Sequence, residues 1–131
     1  MASQRRTRGF TLVEMLIVLS IISVLVAIAL PQAKVNLILA REGVLKEDLF
    51  RFREAIDQYY ADKGKYPASL AALSEEGYLR RIPADPMTGA ADWQEVPAEP
   101  DPDNPSDPGG IYDVHSASEN ASLGGEPYNE W

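Results

Sequence analysis

Arg8-Gly9-Phe10-Thr11-Leu12-Val13-Glu14 opens the stretch whose reading decides the fold, because Phe10 begins FTLVEMLIVLSIISVLVAIAL, the apolar run Phe10–Leu30. The run holds twenty-one residues, and Glu14 is its sole charged one. As an α-helix it extends about 1.5 Å per residue, roughly 30 Å in all, which matches the hydrocarbon core of a bilayer. Arg5, Arg6 and Arg8 precede the run and no basic residue lies within it. The positive-inside rule then places residues 1–9 in the cytoplasm and the rest of the chain across the membrane. Glu14 is the physical puzzle, since a carboxylate at the bilayer centre costs about 2.5–3.5 kcal/mol and wants a partner even near the interface. A cut between Gly9 and Phe10 would create that partner. The new α-amine at Phe10 could pair with Glu14 of a neighbouring subunit, where low dielectric strengthens the attraction. The same cut would remove the arginines that hold this end of the chain in the cytoplasm.

Beyond the run, helical periodicity persists. Ile38, Leu45, Leu49, Phe52, Ile56 and Tyr59 stand at steps of seven, four, three, four and three, which draws one apolar stripe down a helix. Arg41, Glu42, Lys46, Glu47, Asp48, Arg51, Arg53, Glu54 and Asp57 are expected on its other faces, with Glu47 and Arg51 a favourable four-residue pair. Lys63 in the last turn, Gly64 just past it and Pro67 beyond form a stop signal. Pro31 lacks a backbone donor and is expected to kink the helix or end its first half. The reading is one long helix, Phe10–Lys63, bent near Pro31. A short helix over Ser69–Leu73 ends near Gly77, Pro83-Ala84-Asp85-Pro86 makes a turn-rich connection, and Trp93–Val96 and Ile111–His115 read as strands. Pro97–Gly110, with five prolines and two glycines, reads as a loop. Tyr59, Tyr60 and Tyr66 are expected to line the core at the helix end.

Composition bounds the function. The 131 residues make one small domain beside a targeting and membrane segment, and the formal net charge is −8. From Lys65 onward only Lys65, Arg80 and Arg81 are basic, against thirteen carboxylates, and such an acidic half does not neutralise nucleic-acid phosphates. There is no cysteine, hence no disulfide and no thiolate. His115 is the sole histidine, so neither a histidine-based triad nor a multi-histidine metal site can be built, and it is expected to be a hydrogen-bonded strand or loop residue. Asp101, Asp103 and Asp107, interleaved with prolines, read as a solvated loop.

Three bland readings explain parts of the N-terminus. A generic single-pass anchor accounts for the apolar run but not for Glu14 or the Gly9-Phe10 junction. A secretory signal peptide could use Ala27-Ile28-Ala29 as its cleavage site, and Arg5-Arg6 resembles a twin-arginine signal. Against both, the run is long, carries a glutamate, and continues its helical pattern past the site. Gly9, Phe10 and Glu14 together resemble the class III signal of the type IV pilin-like family. There a basic leader ends in glycine, a prepilin peptidase cuts before a phenylalanine and N-methylates it, and a glutamate five residues into the processed chain aids assembly. Pro31 also matches the family's helix.

Within that family the chain is most similar to major pseudopilins of type II secretion. The similarity rests on Glu54 to Tyr60, Gly64-Lys65-Tyr66-Pro67, Ser69-Leu70, Leu73, Leu79, Pro83-Ala84-Asp85-Pro86, Ile111-Tyr112 and Trp131. The absent cysteines differ from the disulfide loop of many true pilins. The resemblance implies an α+β fold, a long N-terminal helix on a small antiparallel sheet. It divides the chain into a cleaved leader 1–9, a transmembrane and filament-core helix 10–30, its amphipathic continuation 31–63 and a periplasmic domain 64–131. It implies no enzymatic activity: Gly9 and Phe10 are peptidase substrate positions, and Glu14 serves assembly. The implied function is a homopolymer at the bacterial inner membrane whose growth drives protein export, with minor pseudopilins, the prepilin peptidase, an inner-membrane assembly platform, a secretion ATPase and lipid as partners. A pilus subunit or minor pilin, or a membrane-anchored binding domain, are the alternatives. Major pseudopilins also hold a calcium ion in a C-terminal loop. Here Ser118, Glu119, Asn120 and Glu126, with nearby carbonyls, are the candidate ligands, although Ser116-Ala117-Ser118-Glu119 replaces the family's aspartate-bearing string.

Overall fold

The computed structural model describes residues 8–131. The chain divides into two compact units, Met1–Leu37 and Ile38–Trp131. Arg5, Arg6 and most of the expected leader lie outside the described residues.

Helix α1 runs Leu12–Lys63, fifty-two residues. Thr11 caps it, its Oγ1 accepting from the Glu14 backbone N–H at 3.1 Å. Threonine followed three residues later by glutamate is the capping-box spacing, which satisfies donors that a helix start leaves orphaned. Pro31 lies inside the helix, as the reading of one long helix requires, and of the two expectations for it the one that ends the first half drops out. Proline costs one bond, to the carbonyl four residues back, while the residues on either side remain good helix formers. In the first unit every residue from Leu12 to Leu30 is exposed. The two serines of that span are turned inward on the helix itself: Ser20 and Ser23 donate their hydroxyls to the carbonyls of Leu16 and Leu19 at 2.7 and 2.8 Å.

In the second unit the stripe does what its spacing predicts. Leu45, Leu49, Phe52, Ile56 and Tyr59 are buried, joined by Ala55, and Ile38 is half-buried. Two expectations fail. Glu42, assigned to a solvated face, is buried. Tyr60 and Tyr66 do not line the core; both are exposed and stack on each other with ring centroids 4.6 Å apart. The helix stops where it should: Gly64 takes φ 68° and its N–H returns to the Tyr60 carbonyl at 2.8 Å.

Helix α2 runs Leu70–Glu75, one residue later than expected because Ser69 is its cap, accepting from the Ala72 N–H at 3.2 Å. It buries Leu70 and Leu73 in the same core. Strands β1, Gln94–Pro97, and β2, Ile111–His115, form an antiparallel pair. Trp93 precedes β1 instead of opening it; it is buried, edge-on to Phe52 at 4.9 Å, with its indole N–H on the Pro83 carbonyl at 2.8 Å. Val96 pairs with Asp113 but Pro97 pairs with Ile111, so Tyr112 is an extra residue on β2. This bulge shifts the strand's phase. It lets Ile111 and Val114, on opposite faces of a regular strand, both enter the core while Tyr112 stays exposed. A 3-10 turn, Tyr128–Glu130, completes the chain's elements, with Tyr128 buried.

Candidate functional site

The candidate site begins just before α1. Gly9 and Phe10 are exposed in irregular backbone, Phe10 by 77%. A Cβ added to Gly9 would meet nothing within 4 Å, and its φ is not in the left-handed region. The fold of this chain therefore places no demand for glycine at position 9. A glycine that the chain itself does not need is consistent with recognition from outside, where a narrow pocket refuses a side chain.

Glu14 lies in the first turn of α1 and is exposed. Its backbone is tied to Thr11, but among the described residues its carboxylate forms no ion pair. The helix start carries a partial positive charge that steadies an acid there by about 0.3–1 kcal/mol. Thr11 is a capping residue that the sequence reading quoted without assigning, and its signal was the threonine-to-glutamate spacing.

The second region is the loop Ser116–Tyr128. Ser118 is buried, while Glu119, Asn120 and Glu126 are exposed. Three of the four are engaged locally: Ser118 Oγ accepts from the Asn120 N–H at 3.3 Å, the Asn120 carbonyl from the Tyr128 N–H at 3.0 Å, and the Glu126 carbonyl from the Ser122 N–H at 2.7 Å. Calcium needs six to eight oxygens, several of them anionic. Among the described residues no three acids or histidines come together to hold a metal. Of the four candidate ligands only Glu119 and Glu126 are anionic.

Two carboxylates from elsewhere clamp this loop instead. Glu42 Oε1 accepts from the Leu123 N–H and the Tyr128 hydroxyl, both at 2.9 Å. Burial, and then that bond to Glu42, push the Tyr128 phenol up from its ordinary value. Asp85, fully buried, accepts from the Ser116 hydroxyl at 2.5 Å, the Ala117 N–H at 3.3 Å and the Met87 N–H at 2.8 Å. The burial of Glu42 was missed, although its place carried a signal: it lies in the seven-residue gap between Ile38 and Leu45 in the apolar stripe. Asp85 carried no such sign, because its partners in the loop, Ser116 and Ala117, are thirty-one and thirty-two residues away. His115 behaves as expected, with Nδ1 2.7 Å from the Trp131 carbonyl oxygen, to which Arg53 also donates at 2.8 Å.

Comparison with known proteins converges on the same junction. Residues 4–30 match the family model described as a prokaryotic N-terminal methylation motif. The chain is 30% identical over 142 residues to the type II secretion system core protein G of Escherichia coli strain K12, covering 96% of this chain and 91% of that protein. It is 32% identical to the core protein G of Klebsiella pneumoniae, covering 69% of this chain and 74% of that one. It is also 39% identical over 71 residues to the competence protein ComGC of Halalkalibacterium halodurans, covering 54% of this chain and 70% of that protein. No solved structure matches the chain.

Proposed function

This chain belongs to the family of the type II secretion system core protein G, and from that premise we propose that it is a pseudopilin processed between Gly9 and Phe10 and assembled through Glu14 into a periplasmic filament that drives protein export. One observation carries the reading. An exposed apolar stretch, long enough to cross a membrane, opens the helix that starts two residues after Phe10, and its one carboxylate, Glu14, forms no ion pair among the described residues. Such a surface is stable in lipid or against other copies of itself, and not in water. Cleavage frees an α-amine at Phe10 and removes the arginines of residues 1–9, so one cut both releases the subunit and creates the cation that Glu14 lacks. N-methylation of Phe10 leaves that amine basic.

In this reading the subunit crosses the inner membrane once, with residues 1–9 cytoplasmic before cleavage and residues 64–131 periplasmic. It is a structural protein, not an enzyme. It is the substrate of a prepilin peptidase and is handled by minor pseudopilins, an assembly platform and a secretion ATPase. Its C-terminal loop is held by Glu42 and Asp85, whether or not a calcium ion also binds there. Similarity to a competence protein favours a second reading, a subunit of another pilus-like filament. The two separate on what is lost when the gene is deleted: export of secreted proteins for the first, a competence phenotype with export intact for the second.

The direct test is co-expression with a prepilin peptidase and the secretion machinery. Intact mass should show loss of residues 1–9, and shearing should release polymer. An uncut chain, or cleavage after Ala29, overturns the reading.

A further inference from the structure

A groove of about 540 Å³ crosses the second unit between α1 and the segment Tyr78–Pro83. Phe52, Tyr78 and Pro83 wall it; Asp48 and Glu54 line it on the α1 side beside Arg51, and Arg80 and Arg81 edge it on the other. Arg51 is committed to Glu47 at 3.0 Å, whereas among the described residues Arg80 and Arg81 pair with no carboxylate. Two of the three cations found from residue 65 onward thus stand side by side at one groove, in a region with thirteen carboxylates. Dispersed arginines would serve solubility; adjacent unpaired ones over apolar walls fit an anionic segment.

The complementary surface lies on the same chain. The loop joining β1 to β2 carries Glu99, Asp101, Asp103 and Asp107 and no cation. Residues 99–106 are all exposed. The loop is already shaped: the Asn104 N–H reaches the Asp101 carbonyl at 3.1 Å, the Asp107 N–H reaches the Asn104 carbonyl at 3.0 Å, and the Asp103 N–H reaches Asp101 Oδ1 at 2.9 Å. A preshaped segment loses little conformational freedom when it docks. The side-chain carboxylates of Glu99 and Asp103 accept no hydrogen bond among the described residues, and none joins this loop to the groove of its own chain.

We propose that the acidic β1–β2 loop of one subunit docks in the Arg80–Arg81 groove of a second copy, with Glu99 and Asp103 facing the guanidinium groups. The inference rests on the filament reading and adds a contact to it outside the membrane helix. Loop and groove are different surfaces, so the contact is heterologous. Repeated contacts of that kind grow an open helical polymer, whereas a self-matching patch would close a two-fold dimer.

The absence of native cysteine makes the test clean. The full chain carrying Arg80→Cys together with Asp103→Cys is assembled by the secretion machinery, sheared, oxidised and run without reductant. Disulfide-linked dimers, trimers and higher multimers are expected, and each single-cysteine variant should give no ladder beyond dimers. A second arm pairs Arg80→Glu, Arg81→Glu with Glu99→Arg, Asp103→Arg. The first pair alone should lower polymer yield about tenfold, as two surface ion pairs of ordinary strength allow, and the four together should recover much of it. Filaments without a ladder, a cross-link within one chain, or charge reversal without effect overturns the inference while leaving the filament reading standing. Failure of the unaltered chain to polymerise overturns the filament reading, and this contact with it.

Discussion

At the scale of single residues, Glu14 combines two roles that substitution can separate. Its place three residues after Thr11 makes it part of a helix start, and its charge makes it the candidate partner of a neighbour's amine. Glu14→Gln keeps the capping geometry and removes the charge. Processing between Gly9 and Phe10 should then proceed as before, while polymer per processed subunit, read from sheared and cross-linked material, should fall sharply. If cleavage falls and that ratio holds, the residue serves the peptidase and the pairing argument is wrong. Glu42 offers the contrasting case of a carboxylate spent inside the protein. Glu42→Ala strands the Leu123 N–H and the Tyr128 hydroxyl in a buried place. At about 1–3 kcal/mol for a buried polar group left unpaired, denaturation of the full chain in detergent should show a loss of about 2–3 kcal/mol. A loss below about 0.5 kcal/mol, the range of ordinary surface changes, would mean that the loop does not depend on this clamp.

At the scale of elements, the sheet depends on one backbone conformation. Gly110 takes φ 65°, and a Cβ there would lie within 3 Å of the Tyr66 and Pro67 carbonyl oxygens. Close approach is needed because the Ile111 N–H bonds the Pro67 carbonyl at 2.8 Å, which pins the start of β2 to the turn after α1. Gly110→Ala must therefore strain its own backbone, at about 1–2 kcal/mol, and also displace the Pro67 turn. A loss of at least ~2 kcal/mol is expected in the same denaturation experiment, and an unchanged midpoint would refute the packing argument. Gly64, by contrast, was readable in advance from its position after Lys63. The stop of a helix is local chemistry, whereas the Gly110 contact joins segments over forty residues apart.

At the scale of the whole molecule, two solution properties follow. The first concerns calcium. If Glu42 and Asp85 close the C-terminal loop, melting in calcium and in chelator should coincide; a rise that grows as ln(1 + [L]/Kd) would show a bound ion after all. The second concerns alkali. The Asp62 carboxylate, with burial, pushes the Tyr78 phenol up to about 12. Burial and then Glu76 raise Tyr59, and burial and then Glu42 raise Tyr128. A phenol raised in the folded state contributes stability that is intact below its ordinary value, 10.0, and is lost as pH climbs through the raised one. Melting temperature should hold to about pH 10 and then drop, and Tyr78→Phe should drop less over that range than the parent. Equal slopes would remove Tyr78 from the account.

Legible in the sequence alone were the membrane-length helix, the stripe from Leu45 to Tyr59, the stop at Gly64 and both strands to within a residue. Each rests on a spacing within one element, or on transfer of apolar surface from water, and neither needs a distant partner. Tertiary structure decided which polar groups went inside. Glu42 entered the core because Leu123 and Tyr128 supply donors from the far end of the chain, and Asp85 because Ser116 and Ala117 do. Tertiary structure also sent Tyr60 and Tyr66 to the surface, since the core at that end was filled by Tyr59 with Tyr78 packed on it at 5.2 Å. It likewise decided the bulge at Tyr112, where pairing with β1 let Ile111 and Val114 both face inward. Burial of a polar side chain is favourable only where its hydrogen bonds are met, and those partners are assembled by the fold, not by the neighbours in sequence.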